Sequence, residues 1–227
     1  MNNKSQYSFE KANRFGWGLK RVALNKERLY FIEKNIIGNK LLDVGCGIGA
    51  YVDYFTNKEF KVVGIDFKKE FIAVAKKKHR GKFICSNAKN LPFRDNSFHT
   101  VLIIDVLEHL ENEIEVLLEL KRVSSRRIII IVPNNTDNRL EKSGLIYRHH
   151  LDPSHRRTYN NKYLRLLFKK AKIKIIKYEL LNLINIEIVL RALFYSNKTI
   201  SKIIIKIFTL FLKRRKFFSD IGIVGEI

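Results

Sequence analysis

Residues 40–54, KLLDVGCGIGAYVDY, constrain this chain more than any other stretch. The run Leu41, Leu42, Asp43, Val44 stops at three glycines, Gly45, Gly47 and Gly49, and amphipathic residues begin at once. A buried parallel strand hands over to a helix beside a small-molecule ligand in this order of run, glycine turn and helix start. Glycines permit the backbone angles of the turn and let the main chain come close to the ligand.

Around that turn the chain alternates short apolar runs with helical patterns. A helix is expected from about Leu19 to Ile37, ended by Gly38 and Asn39. Strand one follows, then a helix over 50–57. Strand two is Lys61 to Asp66, the next helix about Lys69 to Arg80, and strand three Lys82 to Ser86. Strand four is Thr100 to Asp105, followed by a helix from about Glu111 to Val123 and strand five, Arg127 to Val132. A polar connection, Asn134 to Asn160, is unusually long, and long ordered loops are often functional. A helix over about 162–171, a strand-like 173–181 and a final strand at 221–224 complete the reading. This alternation predicts an α/β fold with a mostly parallel sheet and helices on both faces.

The glycine pattern by itself is ambiguous. Gly45, Gly47 and Ala50 also satisfy a permissive G-x-G-x-x-G/A dinucleotide fingerprint, in which a helix N-terminus cradles a pyrophosphate. Asp43 argues against it, because a carboxylate two residues before the first glycine repels a diphosphate and suits an ammonium group. With that acid the turn resembles the first motif of the class I S-adenosylmethionine (SAM) methyltransferases. The resemblance extends to VVGIDF (62–67), NAKNLPF (87–93) and SFHTVLIIDVLEHL (97–110), and covers most of residues 36–180. It implies a Rossmann-like sheet of seven strands, the last antiparallel and inserted between strands five and six. On that basis residues 1–39 are an N-terminal arm and helix, and 40–181 the SAM-binding core. Residues 182–219 are a hydrophobic, basic, amphipathic helical insertion, and 220–227 the final core strand.

The resemblance also implies a cofactor site for SAM. Asp43 serves the ammonium, directly or through water, or else stabilises the turn by accepting from loop amides. Gly45, Gly47 and Gly49 form the cradle. Asp66, seventeen residues beyond Gly49, is placed to accept from both ribose hydroxyls. Asn87 stands where the family usually has Asp, and its carbonyl still accepts from an adenine amino group. The Ala88 N–H is placed to meet an adenine ring nitrogen, and Asp105 lies at the carboxyl end of strand four, where open α/β sheets hold ligands.

Methyl transfer from a sulfonium depends mainly on alignment, and a base is needed only for an alcohol or phenol acceptor. The candidate bases are His109, equally a packing residue, and the group His149, His150 and His155 in HHLDPSHRRTY. Arg156 and Arg157 are candidates to hold an acceptor's phosphate or carboxylate, with the Tyr7–Trp17 arm as a lid. No H-x-x-x-H or cysteine cluster is present, so no metal is expected.

Charge separates the chain into unlike parts. The net charge is +22: +6 over residues 1–40, +2 over 41–138 and +14 over 139–227. The excess outside the cofactor half implies an anionic partner: a phosphorylated small molecule, a membrane surface or RNA. In residues 198–216, Lys198, Lys202, Lys206, Lys213 and Lys216 line one side of a helical wheel beside a broad apolar face. That is the composition of an interfacial helix, and equally of one packed on the sheet or on a partner. The 198–216 segment is too short in its apolar part to span a bilayer. Cys46 and Cys85, the only cysteines, fit packing in a reducing compartment, and the first eighteen residues show no secretory apolar stretch. A cytoplasmic protein, peripheral to a membrane if it meets one, is therefore expected.

Three functions remain open from sequence. The DVLEHL stretch resembles small-molecule methyltransferases, including those of quinone and lipid biosynthesis, so transfer to oxygen of a small or lipid-linked anionic acceptor comes first. No N/D-P-P-Y/F motif of base-amino methyltransferases follows strand four, and no Pro-Cys pair supports cytosine C5 chemistry. RNA modification is second, and a non-catalytic SAM-binding module third.

Overall fold

A computed structural model describes residues 24–135, 152, 154–184 and 216–227. Within them the chain runs α1 (Lys26–Asn35), β1 (Lys40–Val44), α2 (Ala50–Asn57), β2 (Lys61–Asp66), α3 (Lys69–Lys78), β3 (Lys82–Cys85) and β4 (Phe98–Ile104). It continues through a 3-10 turn (Leu107–His109), α4 (Glu113–Val123), β5 (Ser124–Pro133), α5 (Asn161–Lys170), β6 (Lys174–Leu183) and β7 (Phe218–Glu226).

The strands form one seven-stranded sheet in the order β3-β2-β1-β4-β5-β7-β6. β7 runs antiparallel to both β5 and β6, and the pairings among β1 to β5 are parallel. The chain moves outward from β1 through β2 to β3, then returns to lay β4 on the other side of β1. That reversal opens a crevice at the carboxyl ends of β1 and β4, where doubly wound sheets bind ligands.

The central strands are buried on both faces, so their side chains divide by period two. Val101 and Ile103 of β4, with Ile128, Ile130 and Val132 of β5, join Leu117, Leu120, Leu164 and Phe168 from α4 and α5. The alternate residues, Leu102, Ile104, Ile129 and Ile131, pack with Phe31, Ile32, Val52, Phe55 and Ile72 from α1, α2 and α3. Asparagine side chains open three helices: Asn25 accepts from Arg28 N (3.0 Å), Asn112 from Glu115 N (3.3 Å) and Asn160 from Tyr163 N (2.9 Å). Each satisfies an amide that the helix leaves without an internal partner.

Element order, the doubly wound sheet and the inserted antiparallel strand agree with the sequence reading. The ends differ. α1 stops at Asn35, where Ile36 turns extended (ψ 138°), so Gly38 lies in the connection beyond the helix end. β4 and β5 begin at Phe98 and Ser124, earlier than their purely apolar runs. β7 is nine residues long because it is paired on both sides, although Ser219, Asp220, Gly222 and Gly225 are poor strand formers. At Gly222 a Cβ would stand 2.7 Å from the Phe31 ring, so this glycine admits α1 onto the sheet. β6 and β7 also take the edges of segment 182–219 as strand. The arm, the loop residues 136–151 and the amphipathic segment 198–215 lie outside the described residues. Among the described residues no helix is long and apolar enough to cross a membrane.

Candidate active site

The glycine turn sits at the carboxyl end of β1. Gly45, Gly47 and Gly49 all have positive φ (75°, 53° and 89°). At Gly45 a Cβ would lie 2.2 Å from Val106 Cγ2, whereas at Gly47 it would meet nothing within 4 Å. Gly45 is therefore required by close packing with the loop after β4, and Gly47 by backbone angle in a part of the turn open to a ligand. The amides of Gly45 and Cys46 both donate to the Ile65 carbonyl (2.8 Å each), tying the turn to β2.

Two carboxylates stand under this turn. Asp66 Oδ2 accepts from Gly47 N (3.0 Å) and Oδ1 from Lys68 N (2.9 Å), which fixes the carboxylate at the end of β2. Each oxygen keeps further acceptor capacity for a diol. Asp43 is 2% exposed, and its Oδ2 has no hydrogen-bond partner. Burial first, and then the charge of Asp66, push the Asp43 carboxyl up to about 7. An orphaned, buried acceptor is costly unless a donor reaches it, and a cationic donor also restores its charge. Both acids thus suit the ammonium and ribose of SAM. The Cys46 thiol in the same turn is raised well above its ordinary value, by burial and then by Asp43 and Asp66. A thiol raised in this way is less reactive than an ordinary one.

At the adenine end, Asn87 is exposed and its Oδ1 accepts from Lys89 N (3.0 Å), leaving it a second lone pair. Ala88 is half-buried beside it. Asp105, at the mouth of β4, adopts φ 53° and is committed to an ion pair that sequence reasoning did not anticipate. Arg28 of α1 holds Asp105 through two nitrogens (2.5 and 3.1 Å) and donates to Asp220 of β7 through Nε (2.8 Å). Asp220 is fully buried and also accepts from the Asn182 side chain. Burial opposes the Arg28 charge, but the two carboxylates outweigh it and raise its pKa well above the ordinary value. An isolated acid in an apolar strand (Asp220) was the one signal in the sequence that a buried cation must arrive from elsewhere.

The acceptor-side candidates converge on the 3-10 turn after β4. The His109 and His155 rings lie edge to face with centroids 4.7 Å apart. His109 Nδ1 is 3.1 Å from Ser154 Oγ and 3.3 Å from the Ser154 carbonyl, and that hydroxyl is 2.5 Å from Asp152 Oδ1. Burial lowers the His109 pKa, against the opposing influence of Asp152 and Ser154. Beside the two rings stands Glu108, fully buried, with neither carboxylate oxygen hydrogen-bonded; Oε1 is 4.0 Å from His155 Nε2. Burial, then the charge of Asp105, push this carboxyl well above its usual range. The Arg156 amide donates to the Glu108 carbonyl (2.8 Å), which locks the loop onto the turn.

Arg156 and Arg157 stand next to this cluster with carboxylates already on them. Arg156 pairs with Glu111 (2.9 Å), and Arg157 with Glu113 (2.6 Å), which also accepts from the Tyr159 and Tyr163 hydroxyls. His149 and His150 lie outside the described residues. Sequence reasoning singled out His109 and His155 and missed Glu108, Asp152 and Ser154. For Glu108 the signal was its place beside His109 in DVLEHL, next to the apolar pair Val106 and Leu107.

A doubly wound seven-stranded sheet with an antiparallel seventh strand, an acid-bearing glycine turn after β1 and a carboxylate ending β2 define the class I SAM-dependent methyltransferase fold. Comparison with known proteins agrees: residues 42–131 match the family described as "Methyltransferase domain". Over residues 42–131 the chain therefore matches a methyltransferase domain, and its sheet has the class I SAM-dependent methyltransferase fold. A SAM-dependent methyltransferase from Archaeoglobus fulgidus superposes with a TM-score of 0.66 at 20% identity, covering 98% of this chain and 100% of that one. A demethylmenaquinone methyltransferase of Thermotoga maritima is 29% identical over 119 residues, 49% of this chain and 51% of its own length. A human probable tRNA methyltransferase 9B is 30% identical over 96 residues, 41% of this chain and 20% of its own length. The chain spans about half or less of the length of these curated relatives.

Proposed function

We propose that this chain binds SAM in the crevice over β1 and β2 and transfers its methyl group to an oxygen of a small or lipid-linked anionic acceptor. The observation that carries the cofactor half is the unpartnered Oδ2 of buried Asp43 beneath the glycine turn. A ligand with no donor at that point leaves the oxygen costly; the SAM ammonium satisfies it and also restores its charge. Asp66 then takes the ribose, with Asn87 and Ala88 at the adenine. Asp43 thereby sets the sulfonium end toward β4, and the acceptor enters between the turn at Leu107–His109 and the loop at 154–157.

Alignment of acceptor, methyl and sulfur supplies most of the rate, and closeness in the crevice is what the fold contributes to it. The cluster Glu108, His109 and His155 is where an acceptor hydroxyl would be activated. The basic excess in residues 139–227 favours an anionic acceptor, and the lysine stripe of 198–216 supports delivery at an anionic membrane surface. The Thermotoga maritima quinone methyltransferase among the relatives is in keeping with that order of preference. RNA is the second reading, supported by the same basic excess and by the tRNA methyltransferase relative.

Labelled-methyl transfer from SAM into fractionated lipid, small-metabolite and RNA extracts decides among these. Label in lipid or small metabolites is the expected outcome. Label confined to RNA replaces the acceptor assignment with the second reading. No label in any fraction, with SAM bound, reduces the chain to a SAM-binding module.

A further inference from the structure

We propose that Glu108, His109 and His155 form a binding site for one divalent first-row transition cation, of the Zn2+ or Co2+ type, at the mouth of β4. One ligand atom from each of the three lies within 4.8 Å of the others. Two imidazoles and one carboxylate are a known donor set for such ions, whereas Mg2+ and Ca2+ prefer an all-oxygen shell. Ligand atoms around a tetrahedral zinc, at bond lengths of about 2.0–2.1 Å, stand about 3.3 Å apart. The Glu108 Oε1 to His155 Nε2 separation of 4.0 Å closes to that value with a small side-chain rotation.

The independent observation is Glu108 itself. It is fully buried, both its oxygens lack a hydrogen-bond partner, and one of them faces His155 across a gap too long for a hydrogen bond. A carboxyl placed this way needs a cation or a donor between itself and the ring. The surroundings are also built as an outer shell. His109 Nδ1 is anchored on Ser154, and Ser154 in turn on Asp152, so Nε2 is the nitrogen that ligates. Metal-bound histidines are regularly oriented through their other nitrogen in this manner. His155 is held by its own amide, which donates to the Asp152 carbonyl (3.1 Å). With three protein ligands the ion keeps at least one position for water or for an oxygen of the acceptor. A cation there lowers the pKa of a bound hydroxyl and neutralises an acceptor's charge. Sequence spacing concealed this site because His155 is 46 residues from His109 and joins it only through the loop after β5.

Metal is measured without SAM, so the inference and the cofactor reading fail separately. The full chain, stripped with chelator, is titrated with Co2+ and followed by its visible d–d absorption; Zn2+ then competes, and bound metal is counted by mass spectrometry. The expected result is one Co2+ per chain, displaced by Zn2+. His155→Ala and Glu108→Gln should each weaken Zn2+ binding by at least ~100-fold, and Ser154→Ala by ~10-fold. His79→Ala, whose ring pairs with Asp53 away from the cluster (3.3 Å), should leave affinity unchanged. Circular dichroism checks folding, and His155→Ala carries the test if Glu108→Gln does not fold. Retention of no metal by the wild-type chain overturns the site. So does Zn2+ binding that survives His155→Ala at wild-type affinity, which would place the ion elsewhere.

Discussion

The crevice has two sides, and they are built by different means. On the cofactor side, Asp43, the glycines and Asp66 lie within 24 residues of sequence, and the contacts that fix Asp66 are backbone amides of adjacent turns. On the other side, at the mouth of β4, Arg28, Asp105 and Asp220 come from three distant parts of the chain, and Glu108, His109 and His155 from two. The first side is a property of local motif, the second of tertiary closure. Charge follows the same division: the cofactor half is nearly balanced, and the chain beyond it carries +14. A site assembled this way keeps one ligand fixed while the other side is free to differ between proteins of the same fold.

The largest expected effect breaks the side at the mouth of β4. Arg28→Ala leaves Asp105 and the fully buried Asp220 without their cation, and removing one partner of a buried pair costs ~3–5 kcal/mol. Urea unfolding should show that loss. A change under ~1 kcal/mol would mean that the network does not hold α1 to the sheet.

Next comes the cofactor side. Asp66→Ala should weaken SAM binding by ~1.5–3 kcal/mol for each charged hydrogen bond lost, with the fold retained. Unchanged SAM affinity in a folded Asp66→Ala protein would remove Asp66 from the ribose site.

This order of effects is the reverse of what the sequence made legible. Strand β2 was readable to the residue because it is an apolar run ending in an acid, and a local pattern determines it. The cofactor candidates were readable for the same reason. Arg28 was not: helix periodicity treats an arginine as a solvent-facing position, whereas here it is 11% exposed between two acids. Asp220 and Gly225 made β7 look short, and only pairing on both sides extends it. Arg156 and Arg157 were named from charge, which does not reveal that Glu111 and Glu113 already face them.

A pH experiment sharpens the comparison. The folded Asp43 carboxyl is raised from 3.8 to about 7, so the folded state binds the extra proton between those values. Its contribution therefore makes the ligand-free fold most stable below about pH 4, with stability declining as pH rises to about 7. Asp43→Asn should remove that part of the slope and leave the part that buried Glu108 contributes. SAM affinity should run the other way, rising with pH through about 7 as the carboxylate that meets the ammonium becomes charged. Equal slopes in wild type and Asp43→Asn would show that another group titrates.

The smallest effect concerns the two arginines of the loop. Arg156 is a half-exposed pair with Glu111, worth ~0–1 kcal/mol to stability. Replacing Arg156 and Arg157 by Ala should raise the acceptor KM while SAM affinity stays near wild type. Equal loss of both would mean that the loop is structural, through Arg157 and Glu113.

Calorimetric titration of the full chain with SAM, and separately with NADH, tests the central claim most directly. One SAM per chain, with no binding of NADH, is the result that Asp43 and the glycine turn predict. Tight NADH binding without SAM binding would contradict it, since the acid beneath the turn would then be tolerating a diphosphate instead of holding an ammonium.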